Sequence, residues 1–242
     1  MTRVLNDLYD YVPLKIYQDN NFFKFSLDSV LLAEYVKDVA HKKSILEFCA
    51  GNAAVSMILS TKTKAQITAI EIQKEIYDLG IDSIEYNNLR NQINYLNCDI
   101  KDVKKYFPGN NFDVIVCNPP YFPSVESSLT NSEKILAMAR HEIMISLDDI
   151  IRISSKILGL GGELYLVHRS ERIDEIITLC NNYDIRVKNI QFITTKKDAE
   201  PKLVLVRAVR GSKPNIKIAP ELLIDGLKSF KNIFWNEWFV WN

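Results

Sequence analysis

Residues 44–71 read "SILEFCAGNAAVSMILSTKTKAQITAIE". The runs "SILEFC" (44–49) and "QITAIE" (66–71) are short and largely apolar, as expected of strands buried on both faces of a sheet. Between them, "AAVSMILSTKTK" (53–64) has the length of a helix. A strand, a helical crossover and a second strand form a βαβ unit, which requires a parallel sheet covered by helices.

The same alternation continues along the chain. "KEIYDLGIDSIEYNNLR" (74–90) carries Ile76, Leu79, Ile84 and Leu89 as a helical stripe, followed by "INYLNC" (93–98), a short charged "KDVKKYF" and "FDVIVC" (112–117). A long segment follows, loop-like through "PSVESSLTN" and expected to be helical from about Glu133 to Leu158, with "GLGG" (159–162) as its C-cap before the strand "ELYLVH". The helix "RIDEIITLC" and the strands "IRVKNIQFI" and "KLVLVRAVR" close the series. No helix separates the last two strands, so they should form an antiparallel hairpin at one edge. The expected fold is α/β, a seven-stranded, mostly parallel sheet in one domain spanning residues 1–242. Residues 1–40 form an N-terminal extension expected to pack over the cleft, and 220–242 an aromatic tail expected to pack on the domain.

Composition removes several functional classes. With 47% hydrophobic and 25% charged residues over 242 positions, the chain is an ordinary globule. No apolar run approaches the ~18 residues that cross a bilayer, and the start lacks a signal peptide's basic flank and apolar core, so a cytoplasmic location is expected. Cys49, Cys98, Cys117 and Cys180 stand singly, and there are only three histidines. That argues for small buried residues, with no metal site and no disulfide framework. Net charge is zero, so a nucleic-acid partner must be met by a local patch. Between residues 181 and 217, Arg186, Lys188, Lys196, Lys197, Lys202, Arg207, Arg210, Lys213 and Lys217 outnumber Asp184, Asp198 and Glu200. This stretch is either a solvated face or an RNA-facing one.

Ligands of open parallel sheets bind beyond the carboxyl ends of the strands, at the switch point. Those ends hold the unusual polar groups here. After the first strand, "EFCAGNAA" (47–54) places Glu47 before a tight turn with small residues at Cys49, Gly51 and Ala53. The dinucleotide fingerprint GxGxxG is absent. Glu71 ends the second strand, 20 residues beyond Gly51, where an acid can receive ribose hydroxyls. Asp99 follows the third strand and can accept from an adenine amino group.

The fourth end is "CNPPYF" (117–122). Two prolines stop the strand and stiffen the loop. An aromatic amine is a poor nucleophile because its lone pair is delocalised. The side-chain oxygen of Asn118 and the backbone carbonyl of Pro119 can accept from such an NH₂ and favour pyramidal nitrogen as it attacks an electrophile. Pro120 stiffens the loop and Tyr121 can stack on the planar substrate.

Taken together, "ILEFCAGNAA", "AIE", "NCD" and "CNPPYF" resemble the successive motifs of class I S-adenosylmethionine-dependent amino-methyltransferases, with their Rossmann-like fold. "NNFFKFSLDSVLLAEYV", "MARHE", "LYLVHRSERIDEII" and "AEPKLVLVRAVRGSK" are similar to the bacterial tRNA1(Val) (adenine(37)-N6)-methyltransferases. The resemblance runs from about Leu5 to Ile224; the aromatic tail, Glu47 in place of the usual Asp, and Ala53 in place of the last glycine depart from it. It implies S-adenosyl-L-methionine as cofactor, with Glu47, Cys49 and Gly51 shaping the methionine and ribose pocket and Glu71 on the ribose. It places Cys98 and Asp99 at the adenine and Asp28, in Phe25–Asp28, near the methionine end; Asn118 borders the cofactor and, with Pro119, Pro120 and Tyr121, forms the catalytic loop. Arg140, His141 and Glu142 are implied to contact substrate, Arg140 through phosphate, with no base role for His141.

The expected activity is N6-methylation of an adenine in the anticodon loop of a tRNA, by a protein expected to be monomeric. A glutamine-amide methyltransferase of release factors shares the loop motif, but it usually carries a helical recognition domain where this chain has about forty residues. An adenine in ribosomal RNA or DNA, and a non-catalytic RNA-binding module, are the other readings.

Overall fold

The computed structural model describes residues 3–9, 12–19, 27–109, 112–120 and 145–224. The elements run β1 (Arg3–Tyr9), β2 (Val12–Asp19), α1 (Leu27–Tyr35), β3 (Ser44–Phe48), α2 (Ala54–Ser60), β4 (Gln66–Glu71), α3 (Lys74–Tyr86), β5 (Ile93–Asn97), α4 (Val103–Tyr106) and β6 (Phe112–Cys117). They continue with α5 (Leu147–Ile157), β7 (Leu158–Arg169), α6 (Ile173–Asn182), β8 (Ile185–Thr194), β9 (Leu203–Arg210), β10 (Lys217–Ile218) and β11 (Leu222–Leu223).

The main sheet has the order β5-β4-β3-β6-β7-β9-β8, with β10 and β11 both paired to the outer side of β8. The seven strands expected from residue 44 onward are therefore present, and two short segments widen the sheet to nine. β3 to β7 run parallel, while β9 is antiparallel to both β7 and β8. This is a parallel sheet with an antiparallel hairpin at one edge.

The continuous apolarity of the strands becomes two alternating faces. Ile45, Ile67, Ala69, Val114, Val116, Tyr165 and Val167 pack with α1, α2 and the Ile84 face of α3. Leu46, Phe48, Ile70, Ile115, Cys117, Leu164 and Leu166 pack with α5, Val103 of α4 and α6. Each strand thus buries both parities, as a doubly wound sheet demands.

Two expectations along this stretch are corrected. The helix expected from Glu133 to Leu158 has no continuous course: residues 145 and 146 are not helical and α5 starts at Leu147. Ser146 caps it, accepting from Asp149 N–H while the Asp149 carboxylate accepts in return, a capping box that terminates helix on its N-terminal side. "GLGG" is not a C-cap either, because β7 begins at Leu158, directly after the helix. Its glycines accommodate an irregularity in the β6–β7 pairing between Phe112 and Val114. Gly161 has φ +75°, and a Cβ on Gly162 would lie 2.8 Å from the Gly159 carbonyl oxygen, so side chains are disfavoured there.

The N-terminal residues add a β1–β2 hairpin. It docks on α3 through backbone groups that a hairpin leaves open: Lys15 N–H donates to Asn87 Oδ1 at 3.0 Å, Asn87 Nδ2 donates to Lys15 O at 2.7 Å, and Tyr17 N–H donates to Ser83 Oγ at 2.9 Å. Buried Leu8, Leu14 and Ile16 extend the core beneath it. α1 is fastened to α2 by Lys62, whose Nζ donates to Ala33 O and pairs with Glu34. Tyr35 meets Tyr165 of β7 edge to face. Among the described residues no helix is long and apolar enough to cross a membrane.

Candidate active site

β3, β4 and β5 succeed one another outward, after which the chain returns to the other side of β3 as β6. The switch point therefore falls between β3 and β6, whose ends pair as Phe48 with Cys117. The turn after β3 and the loop after β6 emerge side by side, where an open α/β sheet places its ligand.

The β3 turn is unusually compact. Cys49, Gly51 and Ala53 all have positive φ, 53°, 58° and 65°. For Cys49 and Ala53 this conformation costs roughly 1 kcal/mol or more each, so surrounding contacts must impose it. Glu71 Oε2 accepts from Gly51 N–H at 2.9 Å, Ala50 N–H donates to Ile70 O, and the Tyr95 hydroxyl donates to Gly51 O. The Gly51 peptide is thereby held at both ends. Among the described residues a Cβ at Gly51 would meet nothing within 4 Å, so its positive φ and not crowding is what favours glycine there.

Glu71 does more than end a strand. Its other oxygen accepts from Gln73 N–H at 2.8 Å, so the carboxylate links the turns after β3 and β4. The same oxygen accepts from Gln73 Nε2 at 3.4 Å, and the Glu71 side chain is buried, 5% exposed. Glu47 was expected to help shape the methionine and ribose pocket. It is 2% exposed, and its Oε2 accepts from both Ser56 N–H and Ser56 Oγ–H in the first turn of α2. Burial pushes its carboxyl up to about 8. Glu47 thus shapes the site by anchoring α2 beneath the turn.

Cys98 and Asp99 follow β5, with Cys98 N–H donating to Glu71 O at 3.2 Å. Asp99 Oδ1 accepts from Lys101 N–H at 2.8 Å and caps a short 3-10 turn. From β5 to β6 is three strand spacings, about 14 Å, a span that a nucleoside with an amino-acid tail can bridge. Burial raises the thiols of Cys98 and Cys117, so both are held neutral.

Asn118 follows β6 directly and is partly exposed, Pro119 is buried and Pro120 half-buried. Its Nδ2 donates to Ser29 Oγ at 3.0 Å. Ser29 lies in the first turn of α1, one residue after Asp28, so the N-terminal segment reaches the β6 loop directly. It also reaches the β3 turn, where Asn52 Nδ2 donates to Tyr17 O. Tyr121, Phe25, Arg140, His141 and Glu142 lie outside the described residues.

The structure thus brings Cys49, Gly51, Glu71 and Asn118 around the switch point, sets Cys98 and Asp99 at its far end, and turns Glu47 inward. Sequence reasoning missed Ser29, Tyr95 and Ser56. Of these only Tyr95 had a readable signal: Gly80 inside a helix, a costly residue there, faces the Tyr95 ring.

The basic stretch is not one face. Lys196, Lys197 and Lys202 flank the β8–β9 turn, at the same end of the sheet as Asn118. Arg186, Arg210 and Lys213 lie toward the opposite end. Arg207 is committed to Glu163 and Asn189 on neighbouring strands.

A family model described as "Methyltransferase small domain" matches residues 18–192. Among curated proteins, the chain is 25% identical over 215 residues to a tRNA1(Val) (adenine(37)-N6)-methyltransferase of Flavobacterium psychrophilum, covering 87% of this chain and 90% of that one. Among solved structures, a predicted O-methyltransferase from Agrobacterium tumefaciens superposes with a TM-score of 0.65 at 25% identity, covering 84% and 91% of the two chains. A methyltransferase complexed with SAH superposes with a TM-score of 0.64 at 15% identity, covering 86% of this chain and 56% of that one. With the sheet order, the switch-point turn and the family match in agreement, the chain belongs to the methyltransferase small domain family.

Proposed function

We propose that the protein methylates the N6 amine of an adenine in tRNA, at the purine just 3′ of the anticodon, A37 of tRNA1(Val). The observation that carries this reading is the placement of Asn118 and Pro119 at the end of β6, beside the Gly51 turn and across the switch point from Glu71. The tRNA part rests on the names of relatives that match most of the chain.

S-adenosylmethionine is the cofactor, supplying a methyl group made electrophilic by a sulfonium. The residues present suit it: the open space at Gly51 admits a close backbone approach, Glu71 can receive ribose hydroxyls, and Asp99 can accept from the adenine amino group. At the substrate, Asn118 Oδ1 and the Pro119 carbonyl accept from the NH₂ and direct the nitrogen lone pair at the methyl group. A C–N bond forms as the C–S bond breaks, and the alkylated nitrogen, now acidic, gives its proton to solvent. Tyr121 stacks on the extruded base. An anticodon-loop base has no duplex partner to lose, so extrusion costs less than from a helix. Lys196, Lys197 and Lys202, on the rim of the same end, are available to phosphates.

The test is transfer of labelled methyl from S-adenosylmethionine to unmodified total tRNA, with N6-methyladenosine mapped by mass spectrometry. Asn118→Ala should lower transfer by at least 100-fold, on the scale of losing an oriented polar group in a transition state. Undiminished transfer by this variant refutes the assignment of Asn118, and the absence of labelled N6-methyladenosine from tRNA with the wild-type protein refutes the substrate.

A further inference from the structure

We infer that Ser29 is a positioning residue for the reaction: its hydroxyl, by accepting from Asn118 Nδ2, leaves Oδ1 as the end of the amide that faces the substrate amine. The inference rests on the proposed role of Asn118. An asparagine side chain presents an acceptor and a donor that differ by a half-turn about a soft torsion. Only one of the two orientations is useful here. With Oδ1 toward the substrate, Asn118 accepts from the NH₂; with Nδ2 toward it, two donors oppose each other and the nitrogen lone pair is misdirected.

In the structure Nδ2 donates to Ser29 Oγ at 3.0 Å, which turns Oδ1 away from Ser29. The hydroxyl itself is held firmly. Ser29 is 9% exposed, and the residues after it, Val30, Leu31, Leu32 and Ala33, are buried. α1 is tied to α2 through Lys62 and to β7 through the Tyr35–Tyr165 contact. A rigid helix therefore supplies the anchor, which is what a side chain with a soft terminal torsion needs. The N-terminal segment acquires a chemical role beyond covering the sheet.

Ser29→Ala removes the anchor with little change of volume. It should lower kcat by roughly 3- to 10-fold, the range of one lost hydrogen bond, with KM for S-adenosylmethionine and for tRNA unchanged. Ser29→Thr, which keeps the hydroxyl, should restore most of kcat. In single-turnover assays Ser29→Ala should have no further effect once Asn118 is already Ala. Wild-type kcat in Ser29→Ala overturns the inference, as does a loss that persists undiminished in the Asn118→Ala background, because a purely structural role would not depend on the amide. If Asn118→Ala is severely impaired while Ser29→Ala is normal, only this inference fails. If Asn118→Ala is itself normal, the proposed function of the loop fails and this inference with it.

Discussion

Gly80 sits in the interior of α3, remote in sequence from the site, yet replacing it with alanine should damage cofactor binding. Intrinsic helix propensity argues the other way, since Ala is favoured over Gly by about 1 kcal/mol in a helix. The structure decides against propensity. A Cβ at position 80 would lie 2.3 Å from Tyr95 Cε1 and 3.1 Å from Cζ, closer than any tolerable contact. The Tyr95 ring cannot simply swing aside, because it is 3% exposed and packs against Tyr77 with ring centroids 4.8 Å apart. Forcing it costs about 1–3 kcal/mol of overpacking and moves the hydroxyl that holds the Gly51 carbonyl, a bond worth about 1 kcal/mol. Set against the propensity gain, Gly80→Ala should destabilise the fold by about 1–3 kcal/mol, a melting temperature lower by about 2–12 °C. S-adenosylmethionine affinity should fall about 5-fold or more, measured by titration calorimetry. Tyr95→Phe keeps the ring and removes only the hydroxyl, so it should reproduce the affinity loss with less effect on melting. A Gly80→Ala protein that melts higher than wild type and binds the cofactor equally well would refute the chain of reasoning from α3 to the Gly51 turn.

Two further outcomes follow from buried acids. Burial raises Glu47 from 4.5 to about 8, so between those values the unfolded chain loses its proton first. Stability should therefore fall as pH rises from about 5 to 8, by on the order of a few kcal/mol, and level off above. Glu47→Gln, which still offers an oxygen to Ser56, should flatten that slope in urea unfolding at a series of pH values. Glu163 accepts from Lys42 at 2.8 Å, Arg207 at 2.6 Å and Tyr165 at 2.8 Å. Glu163→Ala strands two cations that are only partly exposed and should cost about 2 kcal/mol, less than a fully buried pair would. Burial opposes ionisation of Glu163, but Arg207 and Lys42 outweigh it and hold the carboxyl below its usual value of 4.5, so its contribution is present above that pH and disappears as pH falls through the lowered value. The difference between wild type and variant should accordingly shrink in acid.

Much of this was readable from local pattern. The strands from Ser44 to Arg210 were found by apolar runs because a strand buried on both faces has no polar side to blur it. The candidate site is legible because glycine, proline and carboxylates stand at strand ends, where an ordinary connection has little use for them together. The failures have equally local causes. The hairpin Arg3–Asp19 mixes charged and apolar residues and is stabilised by α3, through Asn87 and Ser83, more than by its own periodicity. The start of α5 is set by Ser146 and Asp149, three residues apart, a local capping signal that apolar periodicity alone does not reveal.

The amino-acid sequence by itself determined the parallel sheet, the polar groups at its strand ends and the stiff loop at Asn118, because strand burial and the constraints of proline act over a few residues. Tertiary structure alone decided which groups do what there. Glu47 and Glu71 are both acids at strand ends, yet one is turned into the core against Ser56 and the other clamps the Gly51 turn. Asn118 and Ser29 are 89 residues apart, and their meeting depends on α1 crossing the sheet at one place. Hydrogen bonds reach only about 3 Å, so partners so far apart in the chain are chosen by the fold as a whole.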